Sequence, residues 1–180
     1  MRALLHACIA VLVIAAAAPS LAWAQTAAPT TITKEMAALF QRASNDILDV
    51  AEAMPAEKYS YKPTPEMSTF SDQLVHVAGI VQRFVDTSKG VKSEAAHHDN
   101  KMAKADIIAM LKKSFQNGQD SIAQLSDSQL LETVKFPFGD RMVTRYTYWQ
   151  GPLYQIRNHH GQLVVYLRMN GIVPPTTARR

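Results

Sequence analysis

Asp106-Ile-Ile-Ala-Met-Leu-Lys-Lys-Ser-Phe-Gln-Asn-Gly-Gln-Asp-Ser-Ile-Ala-Gln-Leu125 is the segment with the clearest period in this chain. Ile108, Leu111, Phe115, Gly118, Ile122 and Leu125 recur at alternating steps of three and four. That spacing puts them on one face of a helix, as on the seam of a helical bundle. Asp106, Lys112 and Lys113 fall on the outer side. A helix with one apolar face must bury it against other helices or a sheet.

The rest of the chain supplies helices. From Thr33, the residues Met36, Leu39, Phe40, Ala43, Ile47, Val50 and Met54 repeat at the same steps, and Pro55 ends the run. Lys58 to Pro65 cannot be helical, because each proline biases the residue before it towards extended geometry. A second helix is predicted from Ser68 or Thr69 to about Ser88, with Ser68, Asp72 and Gln73 as the cap signal. Its stripe is Phe70, Leu74, Val77, Val81 and Phe84, and Gly90 closes it. A last helix is predicted from Tyr148 to Asn170, with Pro152 in its first turns, where a missing N–H costs least. Leu153, Ile156, His160, Leu163 and Leu167 make its stripe, and Asn170-Gly171 stops it. Between the third and fourth helices, Thr133–Phe138 and Met142–Arg145 flank Gly139-Asp140 as a short hairpin. The prediction is an all-α four-helix bundle over residues 33–175. The long connections between helices 2 and 3 and between helices 3 and 4 allow at least one crossover. Residues 25–32 read as a tether and 176–180 as a tail.

The first 24 residues have the composition of a secretory signal peptide. Met1-Arg2 is followed by an apolar run from Ala7 to Ala18 and by Ala22-Trp23-Ala24 before Gln25. The run is shorter than the about 20 residues a membrane span needs. A periplasmic or secreted protein cleaved after Ala24, without stable membrane insertion, is therefore expected. Cys8, the one cysteine, lies in this leader. The remainder has no thiolate metal site, thiol nucleophile or disulfide framework. The formal charge of +4 falls by one with Arg2, and no helix carries a Lys/Arg cluster. No nucleic-acid partner is expected.

Histidine is what remains for chemistry. His159 and His160 are adjacent on a helix and point about 100° apart, so they cannot easily share a metal ion. His160 lies in the apolar stripe and reads as a packed, hydrogen-bonded core side chain. His159 lies beside it with Gln155, Gln162 and Tyr166, on a polar strip. His76 groups with Asp72 and Arg83 on the second helix, where Asp72 could orient its ring. His97-His98 reads as a solvated loop, although exposed histidine pairs can catch copper or nickel. Tyr59, Tyr61, Tyr146, Tyr148 and Trp149 read as packing at the bundle ends or as the wall of a pocket.

Three stretches resemble the DinB-like superfamily. They are His76 within Leu-Val-His-Val-Ala-Gly, Asn158 to Pro175 and Met54 to Phe70. The resemblance covers about 33–175. It implies a four-helix bundle with a divalent metal ion, Zn, Ni or Mn, held by three histidines from the second and fourth helices. Those positions fall on His76, His159 and Gln155. The glutamine is a departure that weakens the site. Asp72, Gln162 and Tyr166 would line the pocket. Some relatives are metal-dependent transferases of low-molecular-weight thiols. The resemblance thus implies a thiol transferase or hydrolase, with a small-molecule substrate or thiol as partner; a homodimer is a separate expectation for its assembly. The alternative is a non-catalytic periplasmic binding or stress-related module that has lost the full metal site. A b-type haem bundle using histidine and one of Met36, Met54 and Met67 is a third alternative, which a Soret band would decide.

Overall fold

A computed structural model describes residues 31–93 and 102–179. The segment expected to be a leader and the His97-His98 pair lie outside the described residues. Four long helices are present: α1 (Ile32–Ala53), α2 (Phe70–Ser88), α3 (Lys104–Ala123) and α4 (Arg145–Met169). A single-turn α5 (Pro175–Ala178) follows. The two expected strands form, shorter than predicted, as β1 (Thr133–Lys135) and β2 (Met142–Thr144). They pair antiparallel with Val134 opposite Val143. Gly139 takes φ +76° in their turn, a conformation that favours glycine.

Local chemistry sets the helix ends. Thr69 caps α2: its hydroxyl accepts from Asp72 N–H at 3.1 Å, while Asp72 Oδ2 accepts from Thr69 N–H at 3.0 Å. The cap is thus Thr69 rather than Ser68. Thr144 caps α4 by accepting from Thr147 N–H. This starts the helix three residues before the predicted Tyr148. Pro152 consequently sits in the interior of α4 and not in its first turns. The carbonyl of Tyr148 there loses its usual N–H partner.

Each of α1 and α2 packs against both α3 and α4, so α1 and α2 lie on one diagonal of the bundle. Side-chain bonds fix the directions. Lys104, at the start of α3, donates to the carbonyls of Glu52 and Met54 at the end of α1. Asp127, just beyond α3, accepts from the N–H groups of Ile32 and Thr33 at the start of α1. These helices are antiparallel. Asn117 donates to Gln82 Oε1, both in the second halves of their helices, so α2 and α3 are parallel. Tyr148 at the start of α4 donates to Phe84 O near the end of α2, and Tyr166 near the end of α4 donates to Ser68 O. The order is up-down-down-up. The end of α2 and the start of α3 therefore lie at opposite ends of the bundle, about 28 Å apart for a helix the length of α2. The crossover allowed by that long connection is therefore realised.

The core is the sum of the predicted stripes, with Ile47, Leu74, Val77, Leu111, Ile122, Ile156 and Leu163 fully buried. Gly118 lets three helices close up. A Cβ there would stand 2.7 Å from Phe40 Cζ and 3.2 Å from Val81 Cγ1. Aromatic groups close the two ends of the α2–α4 seam. Tyr59, Tyr61, Phe70 and Tyr166 gather at one end. Phe84, Phe136, Phe138 and Tyr148 gather at the other, beneath the hairpin.

Candidate functional site

His76 and His159 face each other across the α2–α4 seam, between these aromatic ends. Their ring centroids are 5.0 Å apart and the planes meet at 58°. His76 is exposed and His159 is half-buried. Among the described residues these are the two imidazoles that meet. No three His, Cys, Asp or Glu side chains there gather closely enough to hold a metal ion.

A hydrogen-bond chain sets the state of His159. The Tyr166 hydroxyl donates to Ser68 O at 2.7 Å. Its oxygen can then only accept, and Gln73, which hydrogen-bonds it, must turn its amide N–H towards it. The other end of that amide, Gln73 Oε1, lies 2.5 Å from His159 Nδ1. An amide oxygen only accepts, so Nδ1 carries the proton and Nε2 keeps its lone pair. Burial, followed by the neighbouring His76, pushes the His159 pKa down to about 4. The ring is therefore neutral at pH 7 with an unprotonated nitrogen, the form in which histidine binds metals.

Sequence reasoning missed Gln73, which it assigned to the helix cap. Its spacing of three from His76 puts the two on one face of α2, and that signal was available. Asp72, read as an orienter of His76, has one carboxylate oxygen in the capping box one turn earlier. Gln155 lies on the same face of α4 as His159, one turn before it. It lines a cavity of about 280 Å³ with Phe84, Phe136, Phe138, Gln150, Gly151 and Tyr154. Gln162 is half-buried. Tyr166, expected along the pocket wall, is fully buried and reaches the imidazole pair through Gln73.

His160 differs from the hydrogen-bonded core residue the sequence suggests. It is half-buried against α1, and its buried Nε2 has no hydrogen-bond partner. It borders a small cavity with Arg42, Ala43, Asp46 and Arg157. Burial lowers its pKa as well. The two neighbouring histidines thus serve different helix pairs, as their 100° separation requires.

The fold has close counterparts. A DinB-like protein from Bacillus cereus superposes with a TM-score of 0.67 at 18% identity, over 81% of this chain and 96% of that one. A DinB-like protein from Bacillus subtilis gives 0.60 at 21% identity, over 76% and 92%. A conserved protein from Enterococcus faecalis gives 0.64 at 15%, over 78% and 97%. No curated protein matches the sequence. The sequence pattern of the DinB family matches residues 27–180, and the chain belongs to that family.

Proposed function

We propose that this protein is an exported enzyme of the thiol-transferase or hydrolase type that uses a weakly held divalent metal ion. The observation that carries this reading is the pairing of two imidazoles across the seam, one of them, His159, locked by Gln73 with its Nε2 lone pair free of any proton. The donor set fits a cation incompletely. His76 and His159 would hold it, and the amide oxygen of Gln155, one turn away, would be a weak third ligand. A divalent ion supplies Lewis acidity, which lowers the pKa of a bound thiol or water. The chain's own part is to keep His159 deprotonated, fix the plane of its ring and present the exposed His76 beside it to a small molecule. With no cysteine beyond the leader, any thiol must arrive with a substrate.

The absence of a third strong ligand among the described residues favours one other reading, a binding module without turnover. Metal content separates the two. Purified protein loaded in turn with zinc, nickel and manganese and then dialysed is expected to retain about one equivalent of at least one metal. His159→Ala is expected to lose it, and Gln155→His to tighten it by about tenfold or more. Metal-free wild-type protein after all three loadings, with uptake restored only in Gln155→His, would establish the binding module instead.

A further inference from the structure

The cavity at the hairpin end of the seam has a composition the imidazole pair does not explain. Three phenylalanines line it, one from α2 (Phe84) and two from the segment between β1 and Gly139 (Phe136, Phe138). Gln150, Gly151, Tyr154 and Gln155 of α4 complete the wall, and the wall contains no acidic residue. Phe84 is a core ring, but the outer wall is not sealed: Phe138 is 39% exposed and Tyr154 at the rim is 67% exposed.

Two cations stand on these rings. The Arg83 guanidinium lies 5.2 Å from the centre of Phe138, and that of Arg141 lies 4.8 Å from the centre of Phe136. Neither is in an ion pair among the described residues, where the acidic partners are taken by Lys112, Lys135, Arg145 and Arg179. The cavity is therefore aromatic inside and positive at the edge. Its size of about 280 Å³ is at the small end for ligand sites. It suits one or two fused rings.

Position gives it meaning. On α4, Gly151, Gln155 and His159 succeed one another at four-residue steps along one face. On α2, His76 and Arg83 are seven residues apart on one face, about 10 Å along the helix. The cavity and the imidazole pair thus occupy consecutive turns of the same seam, with Gln155 between them.

We propose that this cavity binds a small aromatic carboxylate, its ring among Phe84, Phe136 and Phe138 and its charge towards Arg83 and Arg141, beside His76 and His159. The inference deepens the enzymatic reading by naming a substrate class, and it rests on that reading for any chemistry that follows binding. The aromatic edges accept the flat ring, and the guanidiniums prefer an anion over its neutral analogue.

Titration of the purified protein with 2-naphthoate, 2-naphthalenemethanol and cyclohexanecarboxylate, followed by calorimetry or ligand-observed NMR, tests this. Naphthoate is expected to saturate below about 1 mM, with the neutral alcohol and the non-aromatic acid each weaker by about tenfold or more. Arg83→Gln with Arg141→Gln is expected to weaken naphthoate about tenfold and leave the alcohol unchanged. Arg141 is exposed and Arg83 is half-buried, and circular dichroism of the double variant checks that the fold survives. Equal affinity for acid and alcohol, or no saturation by naphthoate up to about 5 mM with or without zinc, overturns the inference. The same titration on chelator-treated protein separates the two claims. Naphthoate binding without any metal uptake keeps the cavity and sinks the metal site. Metal uptake without naphthoate binding does the reverse.

Discussion

The two aromatic ends of the α2–α4 seam use the same residue types for opposite purposes. At one end, Tyr59, Phe70 and Tyr166 are almost completely buried. The hydroxyl of Tyr59 donates to Ala51 O and that of Tyr166 to Ser68 O. The loop that carries Tyr59 and Tyr61 is tied to the first turn of α2 by Phe70 N–H to Tyr61 O and Ser71 N–H to Tyr59 O. Burial pushes both of these buried phenols up, as expected for groups sealed from water. At the other end, two of the rings come from a hairpin with three-residue strands. So short a hairpin has little stability of its own and leaves its rings half in solvent. An aromatic ring that a helix carries into the bundle is structure, whereas one that a short hairpin holds over the bundle leaves space beneath it.

The strongest way to break this comparison is truncation at each end. Phe70→Ala is expected to cost about 3–5 kcal/mol, because a fully enclosed ring leaves a cavity that its neighbours cannot fill. Phe138→Ala is expected to cost less than about 1 kcal/mol, since over a third of that ring is already hydrated. Urea unfolding of the two variants measures both. Equal losses would mean that the hairpin end is as much core as the other.

That contrast also marks what the sequence could disclose. The stripes of Met36 to Met54 and Ile108 to Leu125 predict α1 and α3 because periodicity is a local property. Gly139-Asp140 between two short runs predicts the hairpin for the same reason. The up-down-down-up order is not local. It depends on pairs such as Asn117 with Gln82 and Lys104 with the end of α1, which no spacing along the chain encodes. The family resemblance supplied the pairing of His76 with His159, and the structure brings these two together. It could not supply Gln73, whose role depends on a hydroxyl 93 positions away accepting its amide proton. Nor could the stripe containing His160 reveal that its Nε2 would be left without a partner, since satisfaction of a buried nitrogen depends on what α1 places opposite it.

A smaller effect tests whether the closed end supports the imidazoles or merely lies beside them. Tyr166→Phe removes the donor to Ser68 O and the acceptor for Gln73 while keeping the ring. A stability loss of about 1–2 kcal/mol is expected. With its amide released, Gln73 no longer fixes the Nδ1–H tautomer of His159. Nitrogen-15 NMR of the imidazole is therefore expected to show a mixture of tautomers where the wild type shows one. An unchanged tautomer would detach the closed end from the site and leave Tyr166 a packing residue only.

The smallest effect is expected from acid, and it separates the ends by the charge that ties each to α1. At the closed end Lys104 donates to the last carbonyls of α1, and no carboxylate takes part in that tie. At the hairpin end the first N–H groups of α1 donate to Asp127, and these bonds hold its pKa below the ordinary carboxylate value. A depressed carboxylate stabilises the folded state above its unfolded pKa near 3.8, and that contribution is lost as pH falls through the folded value. The amide resonances of Ile32 and Thr33 are thus expected to move together below about pH 4, while those around Met54 stay in place. Asp127→Ala should give the shifted positions at every pH. The first turn of α1 would then be anchored by one side chain from beyond α3, at the same end of the bundle where the hairpin leaves its rings open.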